Sequence, residues 1–308
     1  MRVLNLVTSD EARFFNQQVE ILEGRGVEQT TISLPTSSVE GNGRRSVVDY
    51  LRLLPPTIYR SMGEYDLLHA NSGLTAPAAV LQCRLPTVVS LWGTDLMGRY
   101  GPITKQFTKR CDSVIVMSEE MEEQYGHDCH VIPHGIDLER FTPQPREESA
   151  ERLEWDPDTK HVLFPYPRER AVKDFPRAKR IVSEASCRID DDVELHTVTG
   201  VPHESMSLYM NAADVLLLTS EREGSPNSVK EAMACNLPVV STPVGDVPER
   251  LVGVSPSVVS DDDATLVSGV TDVLASGRRS NGREKAHEVS ITRMADQLMD
   301  VYRDVATS

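Results

Sequence analysis

The sequence lacks long hydrophobic runs, and it has little lysine and few aromatic residues. No stretch reaches the roughly 18 to 20 apolar residues that a membrane-spanning helix needs. Residues 1–16 lack the basic start and apolar block of a signal peptide, so we expect a cytoplasmic protein. With 308 residues, 39% of them hydrophobic and 26% charged, the chain is long enough for two domains of about 150 residues each.

The sequence also lacks the residue spacings of common metal sites and disulfide frameworks. Its five cysteines are scattered and never spaced as C-x-x-C, which indicates neither a disulfide framework nor a zinc site. Acidic runs at 190–192 and 261–263 resemble D-x-D metal sites, but neither follows a buried strand with a phosphate-binding loop. We therefore expect no metal ion and no other cofactor.

Charge of one sign dominates the chain. There are 32 basic residues against 47 acidic ones, a net charge of -15, and only seven of the basic residues are lysines. Hydrated surface carboxylates keep a protein soluble in high salt, which screens their repulsion, so this profile is typical of a salt-adapted, haloarchaeal-like organism. A nucleic acid would be repelled by this field, and we expect none as a partner.

Short apolar runs alternate with longer segments of helical periodicity along the chain. This order predicts an α/β fold in which helices cover parallel sheets. Pro143, Pro145 and Pro157 surround a charged stretch and predict a break between two domains, at residues 1–143 and 144–290. The predicted strands are residues 3–7, 67–70, 87–91, 113–117, 131–132, 161–164, 194–199, 215–219 and 238–241.

A segment rich in candidate binding groups occupies residues 220–235, between two predicted strands. It therefore has the order strand, loop, helix, strand. Ser225 suits the N-cap of the helix and Pro226 its first position. Because the first turn of a helix leaves backbone N–H groups without partners, this helix start is expected to attract an anion or polar oxygens.

Three polar side chains surround that helix start. Asn227 and Glu231 are four residues apart and share one helical face, while Glu223 lies in the loop just ahead. Open α/β sheets bind ligands at the carboxyl ends of their strands. Glu223 and Glu231 are separated by seven residues and match the Glu-x7-Glu motif of the retaining glycosyltransferases of family 4. The run Glu-Gly-Ser-Pro-Asn-Ser-Val-Lys-Glu-Ala-Met-Ala-Cys, which contains both glutamates, resembles the sequence usual in that family.

The resemblance implies the GT-B fold, in which the parallel sheets of two Rossmann-like domains face a central cleft. It implies an acceptor-binding domain at 1–143 and a nucleotide-sugar-binding domain at 144–290. The last helix, within 291–308, is then expected to cross back onto the first domain.

The same resemblance implies roles for individual residues. Glu231 would accept hydrogen bonds from the ribose hydroxyls of a nucleotide sugar, and Glu223 would face the donor sugar. The backbone of Gly224, Ser225, Pro226 and Asn227 would hold sugar hydroxyls or phosphate.

A second cluster follows the predicted strand 161–164. A departing nucleoside diphosphate develops negative charge, so its release needs a fork of donors and a point charge nearby. Family members carry an arginine and a lysine in this loop, and Arg170 and Lys173 match them. Arg168 is a competing candidate, and a solvated helix face is the alternative interpretation.

Two glycine turns complete the implied donor site. Residues 131–137 match the family's Pro-x-Gly-x-Asp turn and carry His134 and Gly135, and Gly200 follows a strand where relatives bind the nucleobase. Glycine permits a close approach of the backbone to a ligand. An equally consistent interpretation is that His134 or Asp137 only caps the turn.

The first domain departs from the family pattern. Many members have a histidine before the glycine at Trp92-Gly93; tryptophan offers a stacking face and one N–H but no acid or base. The loop at 8–13 lacks the usual Gly-Gly pair. We interpret His69 as a core histidine at a strand end.

A basic patch in the first domain stands out against the acidic background. No acid occurs between Gly98 and Arg110. Such a face fits a lipid-phosphate acceptor or a membrane surface, or else ordinary amphipathic helices. The basic residues of this patch and of a second apolar stretch are Arg99, Lys105, Lys109, Arg110, Arg44, Arg45, Arg52 and Arg60.

The resemblance and these residues together predict a retaining glycosyltransferase. It would move a sugar from a nucleoside diphosphate donor to a hydroxyl of a cell-surface glycan or a lipid-linked acceptor, at the inner face of the membrane. The alternatives are a sugar-nucleotide epimerase on the same fold and a nucleotide-sugar-binding module without turnover.

Overall fold

The computed structural model describes residues 1–34 and 47–307, and the chain forms two compact units. The first comprises Met1–His134 and Ile291–Ser308, and the second Gly135–Ser290. Residues 135–143, which the sequence assigned to the first domain, pack with the second unit, because Ile136 and Phe141 belong to its core. Arg44 and Arg45 of the second basic stretch lie outside the described residues.

The first unit contains a parallel sheet of six strands in the order β2-β1-β3-β4-β5-β6. Strands β3, β4 and β5 are buried along their whole length, as expected when helices cover both faces of a parallel sheet. The strands are β1 (Arg2–Val7), β2 (Glu28–Ser33), β3 (Leu67–Ala70), β4 (Thr87–Ser90), β5 (Ser113–Val116) and β6 (His130–Val131).

Helices of the first unit begin and end at recognisable residues. Helix α7 begins where the Ser118 hydroxyl accepts a hydrogen bond from the Met121 N–H, and it ends at Gly126 with a φ of 72°. The described helices are α1 (Arg13–Glu23), α2 (Val47–Leu51), α3 (Leu54–Ser61), α4 (Ala76–Leu81), α5 (Thr94–Met97), α6 (Gly101–Thr108), α7 (Glu119–Tyr125) and α15 (Ile291–Ala306).

The second unit contains a parallel sheet of five strands in the order β11-β10-β9-β7-β8. Its strands are β7 (Lys160–Phe164), β8 (Val193–Thr197), β9 (Val215–Leu218), β10 (Val239–Ser241) and β11 (Val258–Val259). Its helices are α8 (Arg146–Arg152), α9 (Phe175–Ser186), α10 (Met206–Ala212), α11 (Asn227–Ala234), α12 (Val247–Arg250), α13 (Asp263–Ser276) and α14 (Gly282–Ala286).

Each sheet has a point where the strand order reverses. In the first unit β1 has β2 on one side and β3 on the other, and in the second unit β7 has β8 on one side and β9 on the other. Connections leaving such a point diverge to opposite faces of the sheet, which opens a crevice at the carboxyl ends of the strands. In the part of the chain that the structure describes, no helix is both long and apolar enough to cross a bilayer.

Candidate functional site

The candidate site lies at the carboxyl edge of the second sheet, around the reversal point between β7 and β9. The segment after β7 passes through a short helical turn at Ala171–Lys173. Asp174 then adopts the left-handed conformation, with a φ of 48°, and its side chain caps α9 by accepting from the Arg177 N–H at 3.1 Å. This tight turn fixes the direction in which Lys173 leaves the backbone.

Lys173 is buried and paired with Glu223. The residue is 3% exposed, its Nζ donates to Oε1 of Glu223, and it lies 3.6 Å from the ring centre of Tyr166. Ser220 Oγ donates to the same carboxylate oxygen at 2.7 Å. Burial lowers the pKa of Lys173 and the Glu223 carboxylate opposes that shift, so the ion pair stabilises the ammonium form.

The two loops that carry this pair are joined by hydrogen bonds. Thr219 Oγ1 donates to the carbonyl oxygens of Lys173 and Asp174, at 2.9 and 3.0 Å. The Glu221 N–H donates to the Val172 carbonyl at 2.9 Å. The loop after β9 and the turn after β7 therefore hold each other in place.

Tyr166 links the two carboxylates of the family motif and was missed by sequence reasoning. Its hydroxyl shares a hydrogen bond with Ser228 Oγ on α11. Burial raises its pKa, and the charges of Glu223 and Glu231 raise it further, so the phenol stays neutral. Tyr166 lies two residues beyond the end of β7, at the reversal point, where ligands bind in open α/β sheets, and this position could have identified it from the sequence.

The structure separates the two candidate arginines of this loop. Arg170 is exposed, and its charge lowers the pKa of both Tyr166 and Lys173, so it lies near the ion pair. Arg168 instead donates from Nε to Thr197 Oγ1 at 3.1 Å and packs over the Phe175 ring. Arg170 is therefore the better placed of the two.

Glu231 meets the loop that follows β8. It is 6% exposed, and its Oε1 lies 2.8 Å from Nε2 of His203. Gly200 begins that loop with a φ of +73°, and a Cβ at this position would meet no atom within 4 Å. The backbone conformation, not space, therefore favours glycine there. Sequence reasoning pointed to this loop without predicting its contact with Glu231.

The loop before α11 differs from the prediction at Ser225. Helix α11 begins at Asn227, Pro226 occupies the N-cap position, and no side chain caps the helix. Ser225 Oγ instead donates to Asp246 Oδ2 at 2.7 Å and accepts from Lys230 Nζ at 3.0 Å. The expected Ser225 cap is wrong because a buried lysine and a buried aspartate take its hydroxyl.

Lys230 and Asp246 form a buried network under the loop. Lys230 has no exposed surface, and burial lowers its pKa to about 8. Asp246 also accepts from Arg250 Nε at 2.9 Å. A side chain at Gly245 would lie 2.4 Å from the Gly224 carbonyl oxygen, so these two backbones approach too closely for any residue but glycine at 245.

Asn227 presents an acceptor at the start of α11. Its Oδ1 is buried, and among the described residues it has no hydrogen-bond partner. Buried acceptors are usually satisfied, so this oxygen is suited to a ligand donor.

The structure places His134 and Gly135 on either side of the division between units. The His134 ring stacks on Phe14 with 4.4 Å between centres. Asp137 caps its own turn, since Oδ1 accepts from the Glu139 and Arg140 N–H groups at 3.0 and 3.1 Å. Of the two interpretations left open for Asp137, the structure shows capping.

The carboxyl edge of the first sheet is organised by Asp95, which sequence reasoning also missed. Its carboxylate accepts from the N–H groups of Trp92, Gly93 and Gly73 at 2.9, 3.0 and 2.7 Å. Burial raises its pKa while these bonds lower it. Trp92 packs edge-on against Phe14 at 4.3 Å, and its Nε1 is buried without a hydrogen-bond partner in residues 1–34 and 47–307.

His69 is a core histidine, as the sequence led us to expect. It has no exposed surface. Its Nδ1 lies 2.6 Å from the Tyr302 hydroxyl on α15, and its Nε2 lies 2.8 Å from Ser90 Oγ. Burial lowers its pKa to about 3, so it is neutral and ties α15 to the first sheet.

Two family models match the chain, one in each unit. The model described as Glycosyltransferase Family 4 matches residues 9–140, and the model described as Glycosyl transferases group 1 matches residues 173–276. The chain belongs to glycosyltransferase family 4. The matches cover both the loop with Trp92 and the segment from Lys173 through Glu231.

Curated members of this glycosyltransferase group are similar to the chain. The putative teichuronic acid biosynthesis glycosyltransferase TuaC of Bacillus subtilis is 30% identical over 59% of this chain, but the match spans only about half, 54%, of that protein. A D-inositol 3-phosphate glycosyltransferase of Xylanimonas cellulosilytica is 26% identical over 79% of this chain and 73% of its own length.

Solved structures agree with the GT-B fold of the family. Sucrose-phosphate synthase from Thermosynechococcus elongatus has a TM-score of 0.77 at 17% identity, with 100% of both chains covered. Anabaena HepE in complex with UDP and glucose has a TM-score of 0.71 at 15% identity, covering 99% of this chain and 100% of that one. At these identities the likeness shows the fold alone.

Proposed function

We propose that this glycosyltransferase moves a sugar from a nucleoside diphosphate sugar to an acceptor hydroxyl with retention of the anomeric configuration. The observation that carries the proposal is the buried Lys173–Glu223 pair on the Tyr166 ring, joined through Ser228 to the helix that bears Glu231. In this assignment the second unit binds the donor and the first unit binds the acceptor.

The donor is held by both hydrogen-bond acceptors and hydrogen-bond donors. Glu231 keeps a second carboxylate oxygen beside the one that contacts His203, and it accepts from the ribose hydroxyls. Asn227 Oδ1 takes a sugar hydroxyl, and the backbone from Gly224 to Pro226 faces the phosphates, because no side chain caps the start of α11. These roles concentrate binding on the parts of the donor that do not react.

Arg170 and Lys173 stabilise the leaving diphosphate. The bond from the anomeric carbon to the diphosphate oxygen breaks, the acceptor oxygen attacks from the same face, and its proton passes to the departing diphosphate. Glu223 fixes the direction of the Lys173 ammonium, which has two further N–H groups for phosphate oxygens. Two protein cations supply the charge that the reaction needs, so we propose that transfer requires no bound metal ion.

Relatives support a nucleotide donor. Anabaena HepE structures contain UDP or UDP-glucose, and one curated relative, 24% identical, is a GDP-mannose-dependent phosphatidylinositol monomannoside mannosyltransferase of Mycolicibacterium smegmatis. A nucleoside diphosphate sugar is therefore the class of donor that we propose for this chain.

The function is tested by incubating the protein with a panel of nucleotide sugars, with and without acceptors. Acceptor-dependent release of nucleoside diphosphate, with a product whose anomeric proton coupling matches that of the donor, is expected. Conversion of the donor without acceptor favours the epimerase, binding without release favours the module, and an inverted product contradicts retention.

An apolar groove in the first unit supports a lipid-linked acceptor. It encloses about 130 Å³ between α2, α3, α4 and α6, and its lining includes Leu51, Leu81 and Ile103, which are 56%, 48% and 56% exposed. Apolar side chains exposed together in this way mark binding surfaces. Gly73, whose N–H donates to Asp95, lines the groove, so it reaches the carboxyl edge of the first sheet.

The charge around the groove fits an anionic lipid. Helices α3, α4 and α6 carry no carboxylate in a chain with 47 acidic residues, and Asp49 on α2 is paired with Arg52 at 3.1 Å. Arg52, Arg60, Arg99, Lys109 and Arg110 are exposed on or beside these helices. We therefore propose that the groove takes the apolar chain of a lipid phosphate acceptor, which brings the enzyme to the inner face of the membrane.

Matched charge insertions test the groove. Ile103→Asp should raise KM for a lipid-linked acceptor at least tenfold and reduce sedimentation with phosphatidylglycerol vesicles, while Val252→Asp, at an exposed apolar residue of the second unit, should do neither. Equal use of an acceptor with and without its lipid chain would contradict a lipid acceptor and leave glycosyl transfer intact.

A further inference from the structure

Three potential metal ligands meet on one face of the second sheet. His161 lies on β7, and Glu194 and His196 lie on β8, two residues apart and so on the same face. His161 and Glu194 are paired across the strands. One ligand atom from each residue lies within 4.8 Å of the other two, and these positions belong to none of the donor-site loops.

The two imidazoles are in the protonation state that a metal requires. Burial lowers the pKa of His161, and it lowers the pKa of His196 to about 4, with the neighbouring His161 contributing. Both rings are therefore neutral near pH 7, and a neutral imidazole is the form that binds a metal ion. Glu194 is largely exposed and supplies a negative charge.

The tautomer of His161 directs a lone pair at His196. His161 Nε2 lies 2.8 Å from the carbonyl oxygen of Asp156, and because a carbonyl oxygen only accepts, Nε2 carries the proton. Nδ1 of the neutral ring then has a lone pair, which faces Nε2 of His196 at 2.9 Å. A ring nitrogen bonded to a backbone carbonyl, with the other nitrogen on the metal, is the usual arrangement of a metal-binding histidine.

Two of the three distances between the ligand atoms are close to those of a tetrahedral site, and the third is within 4.8 Å. Zinc at about 2.1 Å from each ligand separates the ligand atoms by about 3.4 Å. Glu194 Oε2 lies 3.4 Å from His196 Nε2, and the two histidine nitrogens need to move apart by only about 0.5 Å. The His196 ring is held by Trp155, stacked at 3.7 Å between ring centres.

We propose that His161, Glu194 and His196 bind one divalent ion of the zinc class, with water as the fourth ligand. Two imidazole nitrogens and one carboxylate suit zinc, cobalt or nickel, whereas magnesium and calcium prefer oxygen ligands throughout. On binding, the His196 proton leaves Nε2 through solvent and returns at Nδ1, so the ring stays neutral. The ion fastens the edge strand β8 to β7 and takes no part in glycosyl transfer.

Cobalt titration of the full chain after treatment with a chelator tests the site. Wild type should bind one equivalent of Co²⁺ with the intense visible absorption of a four-coordinate ion, and one equivalent of Zn²⁺ should remove that absorption. Glu194→Gln should weaken binding at least tenfold, and His196→Phe, which keeps an aromatic ring against Trp155, should abolish it.

Matched controls separate this site from weak surface binding. Glu184→Gln removes an exposed carboxylate on α9, and His127→Asn removes an exposed histidine of the first unit; both should bind Co²⁺ like wild type. The proposal is overturned if wild type shows no saturable absorption, or if Glu194→Gln or a folded His196→Phe binds as tightly as wild type. Because Glu194 is exposed, its variant decides the question even where His196→Phe fails to fold.

Discussion

The two units have the same kind of parallel sheet with one reversal of strand order, yet their carboxyl edges differ in chemistry. The edge of the second sheet carries polar side chains in close pairs, Lys173 with Glu223 and Glu231 with His203. The edge of the first sheet carries the aromatic pair Phe14 and Trp92. Its carboxylate, Asp95, is occupied by backbone N–H groups.

This difference teaches that the fold provides a crevice and the side chains decide its ligand. A crevice with cations and hydrogen-bonding carboxylates suits a diphosphate and a ribose. An aromatic edge beside an apolar groove suits a sugar face or a lipid chain. Single substitutions at each edge should therefore affect different steps of the reaction.

Removing the Lys173 ammonium should cause the largest loss. Lys173→Ala should lower kcat by about 100-fold to 1,000-fold, the usual cost of losing one donor to a developing charge, with a much smaller change in donor Kd. Steady-state kinetics and calorimetric donor binding measure the two quantities. Lys179→Ala, at an exposed lysine on α9, is the control, and equal losses of kcat and donor affinity would argue against the role given to Lys173.

Changing Glu231 should instead act on donor affinity. Glu231→Gln keeps the shape but loses the charge that strengthens hydrogen bonds from ribose, so donor Kd should rise by about 10-fold to 100-fold. Titration with the nucleoside diphosphate alone measures this effect. An unchanged Kd for the nucleotide would remove Glu231 from the binding site, and Glu249→Gln on α12 serves as a control.

Acid should destabilise the first unit through His69. Its pKa is about 3 in the folded state against 6.5 in the unfolded chain, so the unfolded state binds more protons between these values and stability falls as pH drops below 6.5. At pH 5 this costs about 2 kcal/mol. Urea unfolding at pH 7 and pH 5 measures how much unfolding free energy is lost on acidification. This loss should be smaller by about 2 kcal/mol in His69→Gln than in wild type, and unchanged in His127→Gln. Equal losses in wild type and both variants would contradict the role of His69.

The smallest effect is expected at Trp92. Trp92→Phe keeps a ring against Phe14 and removes the Nε1–H, so a substrate hydrogen bond worth about 1 kcal/mol would be lost, lowering kcat/KM about fivefold to tenfold. The substitution breaks no hydrogen bond of the fold, since that N–H has no partner among the described residues. Unchanged kinetics would exclude a substrate contact of the indole N–H.

Periodicity and residue type predicted much of the fold. Each of the nine predicted strands overlaps an observed one, whereas β2 and β11 were missed. Strand β2 has the sequence Glu-Gln-Thr-Thr-Ile-Ser and is nowhere fully buried, and β11 has two residues. Both lie at sheet edges, where a strand is less completely covered and its sequence need not be continuously apolar.

The candidate site could be predicted only where its residues are neighbours in sequence. The segment from Glu223 to Glu231 was found because its whole run of residues, which lies within one loop and helix, resembles the family 4 motif. Tyr166, His203 and Asp246 were missed as partners, since each comes from a different strand end and meets the motif only after the sheet assembles. The predicted N-cap role of Ser225 was wrong because its hydroxyl bonds the buried side chains of Lys230 and Asp246, and the sequence alone does not reveal these contacts.

A crystal structure of the protein soaked with a nucleoside diphosphate would show whether Glu231 and Lys173 bind the donor. We expect the ribose hydroxyls within hydrogen-bond distance of the Glu231 carboxylate and the diphosphate within reach of Lys173 and Arg170. A nucleotide bound elsewhere, with Lys173 still facing Glu223 alone, would contradict this expectation.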